Sequence, residues 1–194
     1  MLKHQLRPAI VVTAVLMVLT GLVYPGLVTA VAQLVFPSQA NGSLVVRDGR
    51  VIGSALIGQQ FARAEYFHAR PSAAGAGYDD TLSTGTNKGP TDRKLADTLI
   101  AGAVDSAVRL DGAVKGRIPS DLVTSSGSGL DPHISPASAF LQVSRVAHAR
   151  GLDPATVRAL VERHVEGRQL GFLGDPRVNV LLLNLALDSL RRTQ

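Results

Sequence analysis

Between Pro8 and Val46 the chain carries no Asp, Glu, Lys or Arg. Residues 9–36 read AIVVTAVLMVLTGLVYPGLVTAVAQLVF, almost wholly apolar. A bilayer core needs roughly 20 apolar residues as a helix, so this stretch can span it with some tilt. No other feature constrains the fold as much, because a span cannot also serve as the core of a water-soluble domain. Lys3, His4 and Arg7 lie just ahead of it. Positive residues beside a first span favour keeping that end in the cytoplasm. The expected organisation is a cytoplasmic N-terminus at 1–8, a transmembrane helix at 9–36 and an extracytoplasmic domain at 37–194.

Two details inside the span carry physical meaning. Pro25 removes a backbone donor and is expected to kink the helix or end it early. Gly26 and Ala30 are small residues one turn apart, a spacing that lets another helix approach closely. The rival reading is a secreted ligand-binding domain with a cleaved leader, since Ala30-Val31-Ala32 resembles a small-residue cleavage site. The length of the apolar run and the interruption at Tyr24-Pro25 favour an uncleaved anchor.

The net charge is +5 and the isoelectric point about 10.1. Basic balance of this kind can mark nucleic-acid binding. Here aromatics make up only 4% and the basic residues form no run, so no nucleic-acid partner is expected. The chain has no cysteine, which excludes disulfides and cysteine-based metal sites.

After a polar linker at 38–43, two β-branched runs flank Asp48-Gly49 within LVVRDGRVIGSALIGQQF, a strong hairpin signal. Residues 70–90 are rich in Gly, Ser, Thr, Asn and Pro and read as a long loop. Thr91 is the expected cap of a helix reaching about Leu110, with Leu95, Leu99, Ala103 and Ala107 at four-residue spacing. Residues 119–132 (PSDLVTSSGSGLDP) form a second loop. Ser135-Pro136 starts a helix closed by Gly151, and Asp153-Pro154 starts another ending near Gly167. After Asp175-Pro176, VNVLLLNLALDSLRR reads as a buried C-terminal helix, with Arg191 and Arg192 suited to its negative end. The fold class expected is α+β: one transmembrane helix, then a single domain with a small hairpin-based sheet and about four helices.

Motifs for common enzyme chemistry are missing. There is no G-x-x-x-x-G-K-[ST] loop, no G-x-G-x-x-G and no G-x-S-x-G elbow. Ser125 to Gly129 (SSGSG) precedes Asp131 and His133, but a Ser-His-Asp unit needs three side chains converging in space. Residues two apart on a tight loop rarely achieve that, so no catalytic residue is assigned. The histidines His4, His68, His133, His148 and His164 lack ligand spacing, and no metal site is assigned. Gln142 and Arg145 lie one turn apart on the helix after the Gly/Ser loop. Together with that loop they could hold a phosphate-bearing ligand through the Arg fork, or they could simply tie the loop down. One helix cannot enclose a pore, so any transport is done by another chain.

RPSA at 70–73, SGSGLDPHISP at 126–136, QVSRVAHARGL at 142–152 and GRQLGFLGDPRVNVLLLNLALD at 167–188 carry a resemblance. From its N-terminal anchor to its C-terminal helix, the chain resembles the KdpC family of the Kdp-type potassium-transporting ATPase complex. One stretch departs: TGTNKGPTD has Lys88 where an apolar residue is expected after the Asn. The resemblance implies an inner-membrane, ATP-driven potassium importer. Its partners would be a channel-like potassium-binding subunit and a P-type ATPase subunit, with membrane lipid around the span. It further implies a subunit that stabilises the complex and acts as a catalytic chaperone, raising the ATP affinity of the ATPase subunit. A glutamine of the family is proposed to meet the nucleotide, and Gln142 in QVSRVA matches it. The expected topology conflicts with direct contact, because an extracytoplasmic Gln142 cannot touch cytoplasmic ATP. Any ATP effect would then be transmitted through the complex.

Overall fold

A computed structural model describes the backbone over residues 2–192 and side chains over 4–190. The side chains of Lys3, Arg191 and Arg192, which entered the charge expectations above, lie outside the described residues. The chain forms two compact units, Met1–Ile52 and Gly53–Gln194.

In the first unit, α1 (Leu2–Val18), a π-helical turn (Leu19–Val23) and α2 (Tyr24–Val35) form one continuous helical run. His4–Val35 is long and apolar enough to cross a membrane. Pro25 does not end the helix. Without a proline N–H the Gly21 carbonyl loses its α-helical donor, and the chain widens just ahead of the ring: Tyr24 N donates to Leu19 O, five residues back. Gly26 has open space where a Cβ would stand. A single turn, α3 (Pro37–Ala40), follows the span. Next comes the expected hairpin of β1 (Leu44–Arg47) and β2 (Arg50–Ser54). Asp48 (φ 51) and Gly49 (φ 75) both take the left-handed conformation that a two-residue turn matched to strand twist requires.

In the second unit, residues 55–92 contain turns but no helix or strand. The next helix is capped by Asp92 and not by Thr91: Asp92 Oδ1 accepts from Lys94 N at 2.8 Å and Leu95 N at 3.3 Å. Its other oxygen pairs with Lys88 at 3.0 Å, so the departure in TGTNKGPTD serves the cap. The helix opens with a π segment (Leu95–Ile100) and continues as α4 (Ala101–Asp111), ending at left-handed Gly112. Only Ala107 of α4 is buried. The strand β3 (His133–Ile134) leads into α5 (Pro136–Arg150), where Ser135 caps, Pro136 opens and Gly151 closes as expected. Asp153 caps α6 (Pro154–Arg163).

A second sheet stands here that the sequence pattern does not predict. The helix expected to run to Gly167 stops at Arg163, because 165–166 form strand β4 (Val165–Glu166). Likewise Val178 and Asn179, expected in the last helix, belong instead to strand β5 (Arg177–Asn179). The three strands make an antiparallel sheet in the order β3-β5-β4, with Ile134 and Val165 both opposite Val178. Asn179 ends β5 and caps α7 (Val180–Arg192) by accepting from Leu182 N at 3.1 Å. The core lies between this sheet and α5, α6 and α7, around Ile134, Val146, Val161, Val178, Leu183 and Leu187, and Phe67 enters it from the long loop. The architecture is mixed α+β, with one long apolar N-terminal helix.

Candidate functional site

Four helical side chains grip the backbone of the irregular segment. Gln142 on α5 is fully buried. Its Oε1 accepts from His68 N and from Arg145 Nη2, both at 2.7 Å. Its Nε2 donates to His68 O at 3.1 Å and to Ser138 O at 3.3 Å. A primary amide has two donors and two acceptor sites, and all four are taken within the domain. One residue earlier in the segment, Asn184 on α7 does the same for Phe67, accepting from its N–H at 2.9 Å and donating to its carbonyl at 3.0 Å. Two side-chain amides thus replace the strand partner that 67–68 lack.

Arg145 completes the grip. Its Nη1 donates to Ala64 O at 2.6 Å and Tyr66 O at 2.8 Å, and its Nε donates to Asp111 Oδ1 at 2.6 Å. Both side chains of that ion pair are only 6% exposed. Arg150 donates to Glu65 O at 2.7 Å and pairs with Asp188 at 2.8 Å, with its guanidinium over the Tyr66 ring. The His68 imidazole is held below its usual pKa by burial first and the Arg145 charge second. Five consecutive residues, Ala64 to His68, are therefore fixed from one side.

The two Gly/Ser-rich loops lie on each other. Ser72 Oγ donates to Gly129 O at 2.6 Å and accepts from Tyr78 N at 2.9 Å. Ser83 Oγ donates to Ser128 O at 3.1 Å. Arg70 ties the second loop down, with Nη1 on Asp131 at 3.0 Å and Nη2 on Ser125 O at 3.3 Å. The Tyr78 hydroxyl donates to Arg70 O at 2.6 Å, and burial, then the Asp131 charge, push its pKa up to about 12. Burial alone would raise the Asp131 carboxyl. Hydrogen bonds from the His133 side chain and backbone, with Arg70, hold it below the usual range instead.

Of the residues that the sequence points to, Gln142 and Arg145 meet each other and the long loop. His133 Nδ1 lies 3.4 Å from Asp131 Oδ1, but among the described residues no hydrogen bond joins His133 to Ser125, Ser126 or Ser128. No group of three or more His, Cys, Asp or Glu side chains among the described residues could hold a metal ion. The N-terminus of α5, the natural anion site of such a loop, already holds a carboxylate: Asp121 Oδ2 accepts from Ser135 N at 2.7 Å and Oδ1 from Ser138 Oγ at 2.8 Å. A phosphate there would meet that negative charge. A cleft of about 410 Å³ beside the clamp is lined by Phe61, His68, Arg70, Tyr78, Ala107 and Asp111, among others. Both the Gln142 amide and the N-terminus of α5 thus have all their partners within the domain in this arrangement.

Asn184, Arg150, Asp111 and Arg70 take part without being predicted from sequence. For Asn184 a signal exists: one Asn inside VLLLNLAL must find partners when buried. The other three hold chain segments distant in sequence and give none.

Residues 6–189 match the family model described as KdpC: K+-transporting ATPase, c chain. The chain belongs to the KdpC family. A protein of Gemmatimonas aurantiaca named Potassium-transporting ATPase KdpC subunit is 67% identical over 194 residues, covering 100% of this chain and 96% of its own. Proteins of the same name from Sorangium cellulosum and Caulobacter vibrioides are each 57% identical, over 98% and 97% of this chain and 100% and 94% of their own. The resemblance drawn from the motifs thus extends along nearly the whole KdpC-family chain. The rival reading as a secreted ligand-binding domain finds no support in these matches.

Proposed function

We propose that the chain is an accessory, non-catalytic subunit of an ATP-driven potassium importer, working with a channel-like potassium-binding subunit and a P-type ATPase subunit. The family match over residues 6–189 carries this reading. On it, the span anchors the chain in the plasma membrane with the N-terminus cytoplasmic and the domain outside. The clamp keeps the long loop in one shape for assembly. Any effect on ATP affinity is passed through the complex, without nucleotide contact at Gln142.

Two measurements test this. A reporter fused after Gln194 should be active outside the cytoplasm. Cytoplasmic labelling of that end, or a mature chain starting near Gln33, would overturn the topology.

The second concerns Gln142→Ala. The change strips partners from both backbone groups of His68 and from Arg145, and should lower domain stability by roughly 2–4 kcal/mol. ATP affinity of a complex that still assembles should not change. A large loss of ATP affinity in an intact, stable variant complex would instead assign Gln142 to the nucleotide.

A further inference from the structure

The ribbon joining β4 to β5 ends in a tip that the core of the domain does not use. Gln169 and Leu173 pair across it, each N–H donating to the other's carbonyl at 2.9 Å. Phe172 N donates to Gln169 O at 3.2 Å, closing the turn. Behind the tip Arg168 pairs with Asp175 at 3.2 Å and Arg177 with Glu166 at 2.9 Å. At the base, Val178 is fully buried. At the far end Leu170 is 83% exposed, Phe172 67% and Leu173 46%. Leu170 also holds φ at +52, a conformation that leucine rarely adopts because its Cβ crowds the backbone. The fold thus keeps a strained, closed turn that presents three large apolar side chains to solvent.

We propose that this tip docks into an apolar cleft on another protein subunit of the same ATPase; the proposal rests on the subunit reading above. Charge decides between a protein and a lipid surface. Recognition of anionic lipid needs unpaired Lys or Arg, whereas Arg168 and Arg177 are each neutralised by a carboxylate of the same ribbon. An electrically neutral stem under an apolar tip complements an uncharged apolar cleft. Area decides what kind of protein. Three side chains fall well short of the roughly 800 Å² per partner that a stable free-standing interface buries. Such a contact holds only a partner already kept near by a second attachment, which raises its effective concentration. On the subunit reading the membrane helix is that attachment. Rigidity adds to the case, because a preformed turn loses little freedom on docking.

The test uses the full-length chain co-expressed with the other subunits of the complex. A photo-crosslinking phenylalanine analogue in place of Phe172 should yield a covalent adduct with one of those subunits. Co-purification without such an adduct, or an adduct with lipid alone, overturns the docking proposal and leaves the subunit reading standing. If the wild-type chain does not co-purify with them at all, the subunit reading fails and the proposal with it. Leu170→Gly gives a second arm, since it removes the side chain and relieves the left-handed strain. The thermal midpoint of the chain should hold or rise, while retention of the partner subunits through detergent washing falls about tenfold. Unchanged retention in the Leu170→Gly/Phe172→Ala pair, or a lowered midpoint in Leu170→Gly, counts against docking.

Discussion

Arg145→Met should destabilise the domain by about 3–5 kcal/mol, the cost of breaking a buried ion pair from one side. Arg145 and Asp111 are each only 6% exposed, so the carboxylate left behind gains little from water. The Ala64 and Tyr66 carbonyls and Gln142 Oε1 lose a donor in the same step. Because these groups share one guanidinium, the loss falls on a network and not on a single contact. Denaturant melts of the full-length chain in mild detergent, followed by circular dichroism, measure it. Arg145→Met combined with Asp111→Leu should recover part of the loss, since no lone charge then remains buried. A loss below about 1 kcal/mol would place the pair among solvated surface bridges.

Gly129→Ala should come close behind, at roughly 2–5 kcal/mol. Gly129 has φ +68, and a Cβ there would sit 2.5 Å from Thr84 O and 2.9 Å from Ala74 N. Both are backbone atoms of the facing loop, so no side-chain rotation relieves the clash. The two loops would have to separate, breaking the Ser72 and Ser83 hydrogen bonds that join them. Gly127→Ala is the internal control. It has nothing within 4 Å of its Cβ position and should stay within about 0.5 kcal/mol of wild type. Equal effects of the two changes would mean that flexibility of the loop, and not its close approach to residues 74–84, is what the glycines supply.

The parts of the fold legible in the sequence are those set by local chemistry. The apolar run, the Asp48-Gly49 turn and the Ser135-Pro136 and Asp153-Pro154 caps each depend on a few adjacent residues, and each stands where expected. The three-stranded sheet is not legible. Strands of two or three residues show no alternation, and Val165 pairs with Val178 only because distant segments meet. Asn179 hides the boundary inside VNVLLLN, where one residue both ends a strand and caps a helix. Thr91 and Asp92 are both good caps by residue type, so residue type alone does not choose Asp92, which caps the helix and also pairs with Lys88. Of the candidate site, the Gln142–Arg145 pair is visible from helical spacing. What it holds is not, because residues 64–68 carry no pattern of their own and are bound through backbone atoms, which are the same in every sequence.

Those backbone bonds impose an order on biosynthesis. Phe67 is fixed by a residue 117 positions later and His68 by one 74 positions later. When the first of these segments leaves the ribosome, the helices that will hold it do not yet exist. Phe67 must therefore wait for α7 and His68 for α5, without their final backbone hydrogen bonds until those helices have been made. Closure over such separations is slow compared with helix formation. The helix that fixes Phe67 is thus translated well after every residue of the long loop that it holds.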